Sequence, residues 1–116
     1  MGSRIAAVIL LLFLVSGAAH AAGPVLKITI LDTGAVLLNG EPTTLPQLDR
    51  RLKAAKEQDG EVLYYREGAY YFPGPTALEV FDLLIRYRMK TSLSSKADFS
   101  DYLDPVGLSH SRPLVQ

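Results

Sequence analysis

The sequence predicts an α+β domain: two helices packed on one face of a small mixed sheet of about four strands, in the order β-β-α-β-α-β. Three observations predict it. Val25 to Leu31 reads VLKITIL, with Leu26, Ile28 and Ile30 alternating against Lys27, Thr29 and Leu31, the period-two pattern of a half-buried strand. Two later stretches carry apolar stripes at helical spacing, each behind a capping signature. Short extended runs follow each of them, so strands and helices alternate and each has a neighbour to cover its apolar side.

The first segment is set apart from that domain. Met1 to Arg4 is short and positive, Ile5 to Val15 is an unbroken apolar run, and Ala19-His20-Ala21 fits the small-x-small rule for signal peptidase. Residues 1–21 are therefore read as a signal peptide. Its removal leaves roughly 95 residues, enough for one small domain. The alternative is an uncleaved anchor in the inner membrane, since residues 5–22 approach the ~20 needed to span. In either case the rest of the chain is expected in the periplasm or outside the cell.

The elements follow in order. Asp32-Thr33-Gly34 is a turn signal, and Ala35 to Leu38 is a second short strand ended by Asn39-Gly40. The two runs should form a hairpin with Asp32 at its tip. Thr44-Leu45-Pro46-Gln47 has capping-box spacing, and Pro46 is tolerated in a first helical turn. Leu45, Leu48, Leu52 and Ala55 share one face, opposite Asp49, Arg50, Lys53, Lys56 and Glu57, and Gly60 marks the stop. Val62 to Arg66 is a third strand, whose Tyr64/Tyr65 alternation should put one ring inward against the helices and one outward. Pro73-Gly74-Pro75 breaks the backbone, and Thr76 to Glu79 has the spacing of a second capping box. Leu78, Phe81, Leu84 and Ile85 should be the buried stripe of the second helix, with Asp82 supporting Arg86 one turn on. Thr91 to Ser95 is the fourth strand. The domain is drawn over residues 22–97. Residues 98–116 are drawn as a C-terminal tail, with one helical turn over Asp98 to Leu103 and a loose end from Pro105.

Composition narrows the function. Lys and Arg number 12 against 12 Asp and Glu, with two His and no Cys. Loss of Arg4 with the leader leaves about one acidic charge in excess, which argues against a nucleic-acid partner. Without Cys the core must be conventional. With His20 in the leader, a structural zinc site has no donor set. No cofactor is expected.

One triplet invites an enzymatic reading. Ile30 to Ala35, ILDTGA, resembles the catalytic strand of retropepsins, the retroviral aspartic proteases. That resemblance implies a homodimer in which two copies of Asp32 share a proton across a water. The sequence departs at Val36, where that family has Asp or Ser, and it has no Gly-rich flap. Two capped helical patterns also sit where that family is nearly all β. A hairpin tip explains Asp32 more simply.

A longer resemblance runs from Val25 to Ser95. Lys27 to Ile30, Gly34 with Val36, Leu38-Asn39-Gly40, Thr44-Leu45 with Leu48 and Leu52, Val62 to Tyr65, and Val80 to Leu84 together resemble the periplasmic domain of the ExbD/TolR biopolymer-transport family. The resemblance implies two helices on a sheet, dimerisation, and binding of envelope proteins or, in one branch, peptidoglycan. The family's membrane Asp, which couples proton flow to the motor, has no counterpart in residues 5–22. The expected role is therefore non-enzymatic: an accessory to envelope transport or energy transduction whose membrane motor complex lies elsewhere.

The expected binding surface is aromatic. Tyr65, Tyr70, Tyr71, Phe72 and Pro73 cluster around the break before the second helix. Clustered aromatics beside a rigid loop suit a protein interface, and an extended edge can accept a partner strand. Core packing of alternate rings is the competing explanation.

Overall fold

The computed structural model describes residues 23–68 and 72–113. The signal-peptide segment and the loop residues Tyr70 and Tyr71 lie outside them. The fold is α+β, and its strands outnumber the expected four. In chain order the elements are β1 (Val25–Ile30), β2 (Val36–Leu38), β3 (Glu41–Thr43), α1 (Leu45–Glu57), β4 (Glu61–Arg66), α2 (Pro75–Arg86), β5 (Lys90–Ser94), β6 (Asp101–Leu103) and β7 (Ser109–Ser111). Five strands form one mixed sheet in the order β3-β2-β1-β4-β5, and β6 pairs with β7 separately. Among the described residues no helix is long and apolar enough to cross a membrane.

Strand β1 lies at the centre of the sheet. It runs antiparallel to β2, with Ile30 opposite Val36, and parallel to β4, from Val25 beside Glu61 to Ile30 beside Arg66. Its turn closes through Leu31 N–H to Ala35 O and Gly34 N–H to Leu31 O, both 2.9 Å, so Asp32 stands at a hairpin tip as its sequence suggests. Asn39 (φ 53°) and Gly40 (φ 83°) then make a second tight turn. Two consecutive positive φ values match the twist of the flanking strands. That turn starts β3, a strand absent from the expected order. Pro42 pairs with Leu37 on an outer strand, where its missing N–H costs no ladder bond.

The first helix starts as its cap predicts. Gln47 N–H donates to Thr44 Oγ1 (3.3 Å), and the Gln47 side chain accepts from Thr44 N–H (3.3 Å). The second cap differs from expectation. Gly74 is the N-cap of α2 and supplies no side-chain bond, with Pro75 at the first helical position. Proline's fixed φ starts the helix one residue before Thr76 could cap it. The buried stripe of α2 also differs. Ala77, Val80, Leu83 and Leu84 face the core, whereas Leu78 and Ile85 are exposed. Arg86 pairs across to Asp49 of α1 at 3.6 Å. Tyr87 Oη also donates to Asp49, so this carboxylate ties the two helices together. The bond to that carboxylate, with burial second, raises the Tyr87 phenol above its ordinary value.

Both helices lie on one face of the sheet. Leu48, Leu52 and Ala55 of α1 and the α2 stripe close over Leu26, Ile28, Ile30, Val36, Leu38, Val62 and Tyr64. The Tyr64 ring packs on Phe81 with centroids 5.0 Å apart. Burial raises the Tyr64 phenol, with Arg66 partly offsetting it.

The other face is covered by the segment expected to be a tail. Among the described residues neither a helical turn over Asp98 to Leu103 nor a loose end from Pro105 is found; residues 101–111 form β6, a tight turn and β7. The Phe99 ring meets Tyr65 edge-on (6.5 Å, 81°) and stands 5.9 Å from Lys27 Nζ. Two polar anchors hold the segment. The Asp101 carboxylate accepts from Ser95 N–H (3.0 Å), Ser95 Oγ (2.5 Å), Lys96 N–H (3.2 Å) and Ser109 Oγ (2.6 Å). The Arg112 guanidinium donates to Ser92 Oγ (3.1 Å), Ser94 Oγ (3.0 Å), Phe99 O (3.0 Å) and Asp101 O (2.7 Å). Ser92 and Ser94 pair with Leu63 and Tyr65 on β4, so Arg112 reaches across the face opposite the helices. Leu63 is only 7% exposed, which a face left open to water would not allow. Polar composition hid this packing: a segment of Ser, Asp and Pro shows no apolar periodicity.

Candidate functional site

Two surface features follow from this topology. The first is a cleft of about 580 Å³ at the carboxyl ends of β1 and β4. The turn after β1 and the described residues on either side of the β4–α2 connection, Glu67 with Gly68 and Phe72 with Gly74, line it. Crevices at the carboxyl ends of parallel strands are where open α/β sheets bind ligands. Asp32, Arg66, Glu67, Phe72 and Thr76 are among its walls. Glu67 is held by its own N–H to Ile30 O (2.8 Å), and its Oε1 accepts from Asp32 N–H (3.1 Å). Gly68, at φ +71°, lies so close to Asp32 that a Cβ there would come within 2.3 Å of Oδ1. The two loops are thus locked together by backbone and carboxylate contacts.

The second feature is a groove of about 490 Å³ along the outer edge of β5. Phe81 and Ile85 of α2 form one wall. Met89, Thr91 and Leu93 form the rest, with Arg88 at the rim. Thr91 and Leu93, on the helix side of β5, are left exposed there. Ile85 is 72% and Leu93 42% exposed. Strand β5 is the last of its sheet, and among the described residues no further strand joins its ladder, although β6 packs close to it through Ser94 Oγ donating to Asp101 O (2.7 Å).

The residues singled out in the sequence separate between these places. Phe72 is 98% exposed at the mouth of the cleft, and Pro73 is half-buried beside it. Tyr65 is turned to the opposite face of the sheet, half-buried against Phe99, so it does not join Phe72 in one aromatic patch. Tyr70 and Tyr71 lie outside the described residues. The groove was missed, although a signal was present. Helix α2 carries two apolar rows, Ala77-Val80-Leu84 and Leu78-Phe81-Ile85, and a helix lying on one sheet buries about one such row.

Asp32 has the surroundings of a turn residue: it is exposed, and its nearest carboxyl neighbour, Glu67, is bonded to its backbone. Among the described residues no three His, Asp or Glu gather to hold a metal. In comparisons with known proteins, no family model and no curated protein matches this chain.

Proposed function

We propose that this protein is a non-enzymatic binding domain of the cell envelope, resembling ExbD/TolR domains, that captures another envelope protein as an accessory to transport or energy transduction. The observation that carries the reading is the pairing of an open sheet edge at β5 with an apolar groove beside it. An uncovered edge offers main-chain hydrogen bonds, and an adjacent groove offers apolar area. Together these are the two components of strand-addition recognition. Natural sheets usually blunt such edges. Phe72 at the cleft mouth supplies a second exposed aromatic contact, with a ring that costs little side-chain entropy to immobilise.

Binding without turnover fits the cleft as well. Asp32 is exposed at a hairpin tip, with its backbone N–H donating to Glu67 Oε1 (3.1 Å), the surroundings of a turn residue. The test is a photo-crosslinking residue placed at position 72 or at position 85 in living cells. Irradiation should yield a defined adduct with an envelope protein from at least one position. Adducts from neither would overturn the reading.

A further inference from the structure

We infer that the groove between β3 and α1 binds an oxyanion, a carboxylate or a phosphate, held by Arg50 and Arg51 together with the side-chain amide of Gln47. The inference goes beyond the binding role proposed above and uses a different part of the surface.

The outer strand builds this groove. Strand β3 ends its sheet on the side away from β5, and its register with β2 sets Glu41 opposite Leu38 and Thr43 opposite Val36. Residues opposite one another share a face of the sheet. Leu38 and Val36 belong to the core under the helices, so Glu41 and Thr43 also stand on the helix side. Facing them is the flank of α1 that carries Gln47, Arg50 and Arg51. With Leu38 between them, the two walls bound a space of about 430 Å³, within the roughly 300–1,000 Å³ of small-ligand sites.

Hydrogen-bond donors dominate these walls. Arg50 and Arg51 are exposed, and neither guanidinium meets an acceptor among the described residues. The Gln47 amide is oriented by its capping role. Its Oε1 accepts from Thr44 N–H (3.3 Å) and from Thr43 Oγ1 (3.4 Å). Its two Nε2 hydrogens are left without a partner among the described residues. Two guanidiniums on one groove repel each other. An oxyanion between them removes that repulsion and can fill both planar forks.

The remaining charges leave this balance positive. Glu41 is the one acid among the described walls, and it forms no ion pair with either arginine. On α1, Asp49 is occupied by Arg86 and Tyr87 of the neighbouring helix. Glu57 lies seven residues beyond Arg50, about 10 Å along the helix, with Lys53 between them. Strand β2 carries no charge. Glu41 opposes a bound anion, so removing its charge has an effect of known sign.

The test is an NMR titration of the full mature chain at neutral pH with inorganic phosphate and, separately, with benzoate. Sodium chloride at matched ionic strength is the control. Phosphate, benzoate or both should move the Gln47 side-chain amide and the Arg50 and Arg51 Nε–H signals along a saturable curve, while chloride leaves them in place. Saturation by one probe alone assigns the oxyanion to that class. Arg50→Lys with Arg51→Lys keeps the charge and loses the forks, and should weaken binding at least about five-fold. Arg50→Gln with Arg51→Gln should abolish it. Glu41→Gln should tighten it about two- to five-fold by removing a like charge.

Shifts that chloride reproduces, or parent-like binding by the double lysine variant, would overturn the inference and leave only a diffuse counterion atmosphere. So would a parent that responds to neither probe, or a Glu41→Gln variant that binds no tighter. All three substituted positions are exposed, and a melt like the parent's checks that the fold is kept. Neither position 72 nor position 85 borders this groove, so its titration and the crosslinking test of the binding role succeed or fail separately.

Discussion

Replacing Asp101 with alanine should detach the C-terminal strand pair from the sheet. The Asp101 side chain is 1% exposed, and its carboxylate meets two backbone amides and two hydroxyls. The hydroxyls of Ser95 and Ser109 can rotate to new acceptors. The amides of Ser95 and Lys96 are fixed by the backbone and would be orphaned. A buried donor without a partner costs about 1–3 kcal/mol, so the expected loss is about 2–4 kcal/mol from a total of about 5–15 kcal/mol. For a domain of this size that lowers Tm by about 10–20 °C. Asparagine keeps one oxygen for the amides and should cost about half as much.

Circular dichroism melts at neutral pH, with hydrogen exchange at Ser95 and Lys96, measure this. A Tm within about 2 °C of the parent, with unchanged exchange at both amides, would refute the anchoring role. The dependence on pH gives a second check. Burial pushes the Asp101 carboxyl up, but the bonds from Ser109, Ser95 and the Ser95 and Lys96 amides outweigh it and hold the group at about 2. A depressed folded value means the stabilisation is complete above the ordinary value of 3.8 and is lost as pH falls from there toward 2. The deficit of Asp101→Ala relative to the parent should therefore shrink in that acid window.

Other perturbations test the cleft and the first helix. Gly68→Ala forces a side chain into φ +71° and against Asp32 Oδ1, and should cost about 1–2 kcal/mol in a denaturant melt. Adding Asp32→Ala should recover the part due to contact, leaving the backbone part. Thr44→Ala removes the capping hydroxyl of α1 and should cost about 1 kcal/mol by the same assay. Phe72→Ala should change stability by less than about 0.5 kcal/mol in the same melt, because the ring is almost wholly in water. Asp32→Asn and the parent should be alike in leaving an acid-pH peptide library uncut, and cleavage by the parent alone would reopen the protease reading.

The helix-covered half of this fold was legible in the sequence because its signals are local and apolar. VLKITIL, the Thr44 box and the Leu48-Leu52-Ala55 stripe each state a burial pattern that the three-dimensional structure keeps. What was hidden depends on relations the chain does not state locally. Pro42 reads as a strand breaker until β3 is known to be an outer strand. Helix α2 has two competing apolar rows, and only its seating on the sheet decides which is buried. The second sheet face is closed by Asp101 and Arg112, whose bonds span from 5 to 20 residues, with no periodicity to announce them. Of the candidate site, Phe72 was found by its aromatic neighbours. Tyr65 was misplaced relative to it, because period two turns it away from the helix layer.

The central position of β1 has a mechanical consequence. Pro24, just before it, accepts from Glu61 N–H (2.9 Å), so the chain enters at the amino ends of three strands that all point the same way. The Phe72 cleft lies at their far ends, about 17 Å along. A load applied between Pro24 and an occupant gripping β5 would act along those strands. The hydrogen bonds of β1 with β4, and of β4 with β5, would then share the force in shear instead of parting one after another, and the sheet would transmit a pull lengthwise.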